Sequence, residues 1–223
     1  MSQSENSPQA NPNETPVPQA VVNRLSLYLR ELQHLVRDGN ETASSTQIGK
    51  LLGFTDAQVR KDLAYFGPFG YPGVGYRCQE LIDAIKKILG TNLEWPVVLI
   101  GAGNLGRALL GYRGFGNQGF RVVAAFDGDP NKVGSKIDGI DVLPLNALKS
   151  TIETQKIRIA ILAVPSPSAQ AVAETLVEAG ITGILNFAPV TLTVSKDVHV
   201  VGVDLAIELE QLAYAVVNRS ARE

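Results

Sequence analysis

A glycine-rich turn is the first group of residues whose spacing could support chemistry. Residues 101–106 are Gly-Ala-Gly-Asn-Leu-Gly, a G-x-G-x-x-G pattern that directly follows the apolar stretch 96–100. Glycine allows a tight turn at Gly101, lets a pyrophosphate approach the backbone at Gly103, and lets a helix pack closely on a strand at Gly106. The pattern alone is weak support for a nucleotide site, because glycine triplets also occur by chance in turns.

Asp127 strengthens that interpretation. It follows the next apolar stretch, 120–126, and stands 21 residues after Gly106. In a strand-helix-strand unit, a carboxylate at this position accepts hydrogen bonds from both hydroxyls of an adenine ribose and would repel a 2′-phosphate. The helix that begins at the glycine turn would hold the phosphates at its N-terminus. The sequence therefore predicts a site for NADH or NAD+, with NADP disfavoured.

Apolar stretches at 157–164, 183–187 and 198–203, with a helical stretch at 168–179, indicate the rest of this domain. They predict an α/β fold with a Rossmann-type, doubly wound and mostly parallel sheet. Ligands bind at the carboxyl edge of such a sheet, so residues after the later strands are candidates for the nicotinamide side, with turn formation as their alternative role. The predicted cofactor-binding residues are Gly101, Ala102, Gly103, Asn104, Leu105, Gly106, Asp127, Val164, Pro165, Asn186, Phe187, Ala188 and Pro189.

Side chains suited to catalysis are few. A hydride-transferring enzyme needs a positioned acid or base and a substrate pocket, but His34 lies in an N-terminal helical stretch and His199 lies between valines. Cys78 is the only cysteine, which excludes a disulfide switch within one chain, and we expect a buried thiol. We expect no catalytic residue and no metal site. A bound dinucleotide would then act as a signal.

The N-terminal part of the chain carries the pattern of a second module. Apolar residues recur at helical spacing from residue 21 to residue 36. Ser44 stands three residues before Gln47, and Thr55 three before Gln58, so each pair fits a capping box at the start of a helix. Two short helices joined through residues 53–55 have the spacing of a helix-turn-helix.

The second of these helices carries side chains that suit DNA. Its apolar residues share one face, which leaves glutamine and arginine free to bind base edges and lysine free to bind a phosphate. The glycine- and aromatic-rich segment 67–76 predicts a wing. A solvated helix face and an ordinary interdomain loop are the alternatives for these two features. The predicted DNA-binding residues are Ser44, Ser45, Gln58, Arg60, Lys61, Tyr65 and Tyr71.

Length and composition set the expected organisation. A chain of 223 residues with 45% hydrophobic residues suits one small and one ordinary domain. We expect a disordered tail at 1–19, a winged-helix domain at 20–78, the Rossmann domain at 79–203 and a dimerisation helix with its tail at 204–223. The net charge is −2, but residues 20–78 hold seven Lys or Arg against five Asp or Glu. The sequence has no secretory signal or membrane-spanning stretch, so we expect a cytoplasmic protein.

Five blocks of this sequence together resemble the Rex family of redox-sensing bacterial transcriptional repressors. The resemblance covers nearly the whole chain after the tail, and the first block is much more specific than the glycine motif. The blocks are Gln58-Val-Arg-Lys-Asp-Leu-Ala-Tyr-Phe-Gly67, Gly73-Val-Gly-Tyr76, Gly101-Ala-Gly-Asn-Leu-Gly-Arg107, Phe126-Asp-Gly-Asp-Pro130 and Ile184-Leu-Asn-Phe-Ala-Pro189, in the family's order.

The resemblance implies a homodimer that binds palindromic operators on double-stranded DNA. NADH is expected to release the DNA, while NAD+ competes and favours the DNA-bound form. The C-terminal helix is expected to be exchanged between subunits, and Arg30, Tyr112 and Asp204 to link nucleotide state to domain orientation. Family members usually carry a basic residue before the Gly-Val-Gly-Tyr stretch, where this chain has Tyr71 and Pro72.

Two other classes of protein remain open from the residues alone. One is an NAD-dependent oxidoreductase whose N-terminal helices serve only dimerisation. The other is a ligand-gated regulatory module that binds CoA or another nucleotide without DNA.

Overall fold

The computed structural model describes residues 17–219. The chain divides into two units, Met1–Asn92 and Leu93–Glu223. Most of the tail predicted at 1–19 lies outside the described residues. The first helix begins at Gln19, the last residue of that predicted tail.

The described part of the N-terminal unit, residues 17–92, contains four helices and a three-stranded antiparallel sheet in the order β1-β3-β2. Strands β2 and β3 pair as a hairpin, so residues 67–76 form the predicted wing and not an ordinary loop. The elements are α1 (Gln19–Arg37), β1 (Thr42–Ala43), α2 (Ser45–Leu52), α3 (Asp56–Ala64), β2 (Gly70–Tyr71), β3 (Gly75–Arg77) and α4 (Cys78–Leu89).

Helices α2 and α3 form the predicted helix-turn-helix. The Ser44 hydroxyl accepts from the Gln47 amide at 3.0 Å, and the Thr55 hydroxyl accepts from the Gln58 amide at 3.1 Å. These bonds satisfy amides that a helix N-terminus leaves unpaired. Gly53 ends α2 at a φ of 75°, a left-handed conformation that glycine adopts without strain. The hydroxyl half of both predicted capping boxes is therefore present.

The boundary predicted after residue 78 is wrong, because α4 belongs to the N-terminal unit. Helix α4 turns one apolar face inward, and Leu81, Ile82 and Ile85 join the core formed by α1, α2 and α3. An amphipathic pattern shows that a helix has a buried face but not which domain covers it. Cys78 at the start of α4 is fully buried, as expected, and burial raises the pKa of its thiol.

A buried carboxylate joins α3 to α1. Asp62 accepts from the Arg24 Nε at 2.6 Å and Nη2 at 2.9 Å, from the Tyr28 hydroxyl at 2.7 Å and from the Gln58 side-chain amide at 2.7 Å. Burial alone would raise the pKa of Asp62, but these donors together lower it below its ordinary value. The charged form is stabilised, and three of these hydrogen bonds, from Arg24 and Tyr28, hold α3 against α1.

The C-terminal unit is built on a seven-stranded sheet in the order β10-β9-β8-β4-β5-β7-β6. All neighbours pair in parallel except β6 and β7. The elements are β4 (Trp95–Ile100), α5 (Asn104–Leu110), α6 (Gly114–Asn117), β5 (Phe120–Asp127), β6 (Lys136–Ile137), β7 (Ile140–Pro144), a 3₁₀ turn (Leu145–Ala147), α7 (Leu148–Gln155), β8 (Ile159–Leu162), α8 (Ser166–Glu178), β9 (Gly183–Asn186), β10 (His199–Gly202) and α9 (Leu205–Arg219).

This sheet is doubly wound, as predicted, because apolar clusters cover both of its faces. Residues of α7 and α8 pack on one face, and residues of α5 and α6 pack on the other. The β6–β7 hairpin and α7 were not predicted. Asp138 and Gly139 connect the hairpin with φ angles of 47° and 82°, the backbone of a type I′ turn, which an Asp-Gly pair favours.

Helix α9 leaves its apolar side chains exposed. Leu209 is 66% exposed, Tyr214 73% and Val217 69%, so the helix does not cover its own sheet. An amphipathic helix in water needs a surface that buries its apolar stripe. Within residues 17–219, no helix is long and apolar enough to span a membrane.

We expect Asp62→Asn to destabilise the N-terminal unit. The change leaves the Arg24 guanidinium without its buried partner, and breaking such a pair from one side costs about 3 kcal/mol or more of unfolding free energy. Denaturant unfolding measures this loss. Because folding depresses the pKa of Asp62, its contribution is complete above about pH 4 and is lost as the pH falls through the folded-state pKa.

The control for this change is Asp83→Asn, which removes the same charge from an exposed position on α4. Its unfolding free energy should stay within about 0.5 kcal/mol of the parent. Equal stability of the Asp62→Asn and Asp83→Asn proteins at pH 7 would contradict the role given to the buried carboxylate.

Candidate functional site

The glycine turn between β4 and α5 has the geometry that its sequence predicts. Gly101 has a φ of 99°, and a Cβ there would collide with the Ala163 carbonyl oxygen. A Cβ on Gly106 would collide with the Gly101 carbonyl oxygen, so α5 packs closely on the turn. Gly103 has open space on its Cβ side and lines a cleft, which is where a pyrophosphate would approach the backbone.

Asp127 lies at the end of β5 and is 8% exposed. Its Oδ2 accepts from the Ala102 amide at 2.8 Å and from the Lys132 ammonium at 3.1 Å, and its Oδ1 accepts from the Asp129 amide at 2.8 Å. Burial alone would raise the pKa of Asp127, but these donors, with the Asp129 amide first, lower it. The carboxylate is therefore ionised at neutral pH and also holds the glycine turn in place.

A cleft of about 550 Å³ opens at the carboxyl edge of β4, β5 and β8. It is large enough for part of a dinucleotide, and ligands of doubly wound sheets bind at this edge. A carboxylate offers about four acceptor sites, so Asp127 keeps one for a ribose hydroxyl and gains another if Lys132 moves away. The lining includes Gly101, Gly103, Asn104, Leu105, Asp127, Lys132, Leu145, Val164, Pro165 and Ser168.

Lys132 is a residue of this cleft that the sequence prediction missed. Its ammonium lies 3.1 Å from Asp127 and 3.9 Å from Asp129. No sequence motif marks a lysine five residues after a strand end as a binding residue. In the structure, the loop between Asp127 and β6 folds back and brings Lys132 next to the Asp127 carboxylate. It places a positive charge beside the group that would bind ribose.

Asn186, which was predicted to contact the cofactor, lines a cleft at the carboxyl edge of β9, and its side chain is bonded within the loop that follows. It is 2% exposed, and its amide donates to the Ala188 and Val190 carbonyl oxygens at 3.1 and 2.9 Å. Its Oδ1 accepts from the Ala188 amide at 3.0 Å. All of these groups are used within the loop after β9, so Asn186 shapes that loop.

The remaining residues predicted for the nicotinamide side lie around two clefts. Val164 and Pro165 line the dinucleotide cleft. Ala188 and Pro189 line a second cleft of about 540 Å³, between the loop after β9 and the start of α9. Phe187 is half-buried and packs with the α5 side of the sheet. The sheet edge thus brings these residues into one region, although they do not share one cavity.

Of the three residues predicted to couple the domains, Arg30 lies in the N-terminal unit, and Tyr112 and Asp204 lie in the C-terminal unit. Arg30 on α1 is exposed and pairs with Glu31 at 3.1 Å. Tyr112 is 59% exposed, and its ring lies edge-on to Phe115 at 5.0 Å. Asp204 accepts from the Ala206 amide at 2.9 Å and so caps the start of α9.

Some of the predicted DNA-binding side chains are exposed, and others form hydrogen bonds within the protein. Arg60 and Lys61 on α3 and Tyr65 directly after it are exposed, as predicted. The Ser44 hydroxyl caps α2, and the Ser45 hydroxyl accepts from Arg60 at 3.1 Å.

Gln58 was expected to face outward, but it is half-buried and bonded to Asp62. That partner also accounts for the missing half of the predicted capping box, because the Gln58 side-chain amide is bonded to Asp62 and not to the backbone of Thr55.

The wing holds Tyr71 against α4. Its hydroxyl donates to Glu80 at 3.0 Å, and the Arg77 guanidinium lies 4.9 Å from the centre of its ring. Arg77 also pairs with Glu80 at 3.0 Å. The exposed tip between the strands is Pro72, Gly73 and Val74. Across residues 17–219 no cluster of His, Cys, Asp and Glu could hold a metal.

Comparison with known proteins matches both units. A protein-family model described as a CoA binding domain matches residues 92–190, and one described as a putative DNA-binding protein N-terminus matches residues 16–64. The redox-sensing transcriptional repressor Rex of Carboxydothermus hydrogenoformans is 50% identical over 200 residues, which cover 90% of this chain and 96% of that relative. The same repressor of Desulfitobacterium hafniense is 47% identical over 205 residues, covering 92% and 98%.

Solved structures agree with this similarity over the whole described fold. The structure of RSP in complex with NAD+ and operator DNA matches with a TM-score of 0.87 and 37% identity, covering 93% of this chain and 95% of that chain. The structure of RSP, a Rex-family repressor, matches with 0.84 and 36%, as does RSP in complex with NADH. The chain therefore belongs to the Rex family of redox-sensing transcriptional repressors.

Proposed function

We propose that this protein is a homodimeric transcriptional repressor that binds palindromic operators and is released from DNA by NADH. The observation that carries this function is that one chain holds a capped, rigidly fixed α3 in one unit and a Rossmann cleft with an ionised Asp127 in the other. Relatives are named as redox-sensing repressors and not as enzymes. RSP has been solved both with NAD+ and operator DNA and with NADH.

The cofactor would bind along the glycine turn, with its pyrophosphate at Gly103 and its adenine ribose at Asp127. The amides at the start of α5 and the helix dipole favour the negative phosphates. The loop shaped by Asn186 would lie on the nicotinamide side, where reduced and oxidised rings differ in charge. In this function the protein binds and orients the dinucleotide, and the dinucleotide itself carries the redox information as NADH or NAD+.

Release of DNA requires differential binding. NADH can lower DNA affinity only if it binds the DNA-incompetent arrangement more tightly than the DNA-competent one. By linkage, DNA must then lower NADH affinity by the same factor. Arg30, Tyr112 and Asp204 are the residues proposed to take part in this coupling, and we place the protein in the cytoplasm, where operator DNA and the NADH pool meet.

Helix α9 supports the homodimer. Its exposed apolar stripe includes Leu205, Leu209, Leu212 and Val216, each at least 59% exposed in the single chain. If two copies of the chain exchanged this helix, each would bury the apolar stripe of the other, and no further apolar surface would be exposed. Dimerisation also places two α3 helices on one duplex, which matches the two half-sites of a palindrome.

NADH, but not NAD+, should dissociate the protein from its palindromic duplex. The differential binding argument above gives the reason, and fluorescence anisotropy of a labelled duplex gives the measurement. The reverse titration should show NADH affinity falling by the same factor when DNA is saturating. Equal effects of NADH and NAD+ would contradict redox sensing.

Asp127→Asn should weaken NADH binding about 10- to 100-fold, because a hydrogen bond to a charged acceptor contributes about 1.5–3 kcal/mol. Calorimetric titration measures the change. DNA affinity without nucleotide should remain that of the parent. Asp141→Asn is the control, since Asp141 pairs only at the surface with Lys136 at 3.3 Å. An unchanged NADH affinity in Asp127→Asn would remove this carboxylate from the ribose site.

Arg60→Ala should weaken operator binding while NADH affinity stays the same. A bidentate arginine contact to a base contributes about 1–3 kcal/mol of discrimination, so operator affinity should fall at least about fivefold. Gel-shift titration measures this, with Arg121→Ala in the C-terminal unit as control, because Arg121 pairs with Glu94. If Arg60→Ala shifted the operator like the parent, α3 would not be the recognition helix.

A further inference from the structure

Arg60 is held by two acceptors before any DNA is present. Its Nη1 donates to Asp56 Oδ2 at 2.7 Å, one helical turn earlier on α3, and to the Ser45 hydroxyl at 3.1 Å, on the first turn of α2. The two hydrogens of Nη1 are thereby used. The guanidinium thus contacts an acceptor on each helix of the helix-turn-helix.

We propose that Asp56 and Ser45 are positioning residues that direct Arg60 to a guanine edge and keep it from a backbone phosphate. This inference rests on the proposed function, since it concerns how α3 binds an operator. Asp56 and Ser45 act through the arginine and need not touch a base.

The donors that remain on Arg60 explain the preference for a base. With Nη1 occupied, Nε and Nη2 are the groups left over within the described residues, and they form one edge with two parallel N–H donors. Such an edge matches the O6 and N7 acceptors of guanine in the major groove. A planar fork also loses little conformational freedom on binding when it is held in advance.

The charge of Asp56 explains why a phosphate is disfavoured. The Arg60 guanidinium lowers the pKa of Asp56, so the carboxylate remains ionised next to it. A phosphate that approached Arg60 would also approach this negative charge, whereas a neutral guanine edge would not be repelled. The ion pair therefore weakens the attraction of Arg60 to the phosphates, which every duplex has, and leaves its binding to guanine, which depends on the sequence.

Lys61, the next residue, shows the opposite arrangement. It is exposed, and it forms no ion pair within residues 17–219. An unpaired ammonium at the surface is free to bind a phosphate as a point charge. These two neighbouring cations on α3 would thus have different roles. Lys61 would contribute affinity for the DNA backbone, and Arg60 would contribute sequence preference.

The test compares two duplexes, the palindrome that the parent protein selects from a random duplex library and a scrambled duplex of the same composition. Asp56→Asn keeps a side-chain oxygen for the Ala57 amide, which Asp56 caps at 2.7 Å, and removes the charge. We expect tighter binding of the scrambled duplex and a loss of about tenfold in the ratio of the two affinities, comparable to one bidentate contact. The guanine beneath Arg60 should also become less strongly selected from the library.

The salt dependence of DNA binding gives a second measurement. If Asp56 had a purely structural role, its substitution would leave this dependence unchanged. If Arg60 becomes free for a phosphate, the slope of log K against log salt should steepen by about 0.9 for each recognition helix. Ser45→Ala removes the other acceptor without a change of charge, and it should lower the affinity ratio without steepening the slope.

Asp83→Asn is the matched control, because it removes one negative charge from the same unit at an exposed residue that accepts a hydrogen bond from Gln79 at 3.0 Å. It should change the affinities for both duplexes by the same factor. An unchanged affinity ratio in Asp56→Asn would overturn the inference while leaving the repressor function intact. A parent protein that selects no palindrome and does not respond to NADH would overturn the proposed function itself.

Discussion

A polar side chain can be buried only if its hydrogen-bonding groups find partners, and this requirement organises each functional element of the protein. Three polar or charged residues are buried in the described chain, namely Asp62, Asp127 and Asn186. Asp62 holds α3, Asp127 holds the glycine turn, and Asn186 holds the loop after β9. Each forms at least three hydrogen bonds with neighbouring groups, so each helps to fix the shape of the segment around it.

Features that follow from local pattern could be predicted from the sequence. Ser44 and Thr55 were identified as helix caps, Gly101 and Gly106 as sites of close approach, and Asp127 as a strand-end carboxylate, because each depends on neighbours close in sequence or on a fixed spacing. These parts of the fold and of the cofactor site needed no knowledge of distant contacts.

Features that depend on tertiary contacts could not be predicted. Gln58 was predicted to contact a base, but its side chain bonds Asp62 in a buried network. That network includes Arg24, which lies 38 residues from Asp62, so the neighbouring sequence does not reveal it. The domain boundary was misplaced because α4 could have covered either unit. The Asp138-Gly139 turn is the exception, since that pair is a local hairpin signal that could have located β6 and β7.

The single thiol of the chain has a consequence for what kind of stress this protein can report. Cys78 is inaccessible in the core of the N-terminal unit, and burial raises the pKa of its sulfur. Oxidants such as peroxide react with exposed thiolates, and a buried protonated thiol is a poor target. Direct oxidation of the chain at its one thiol is therefore disfavoured while the N-terminal unit stays folded, because that group is both buried and protonated.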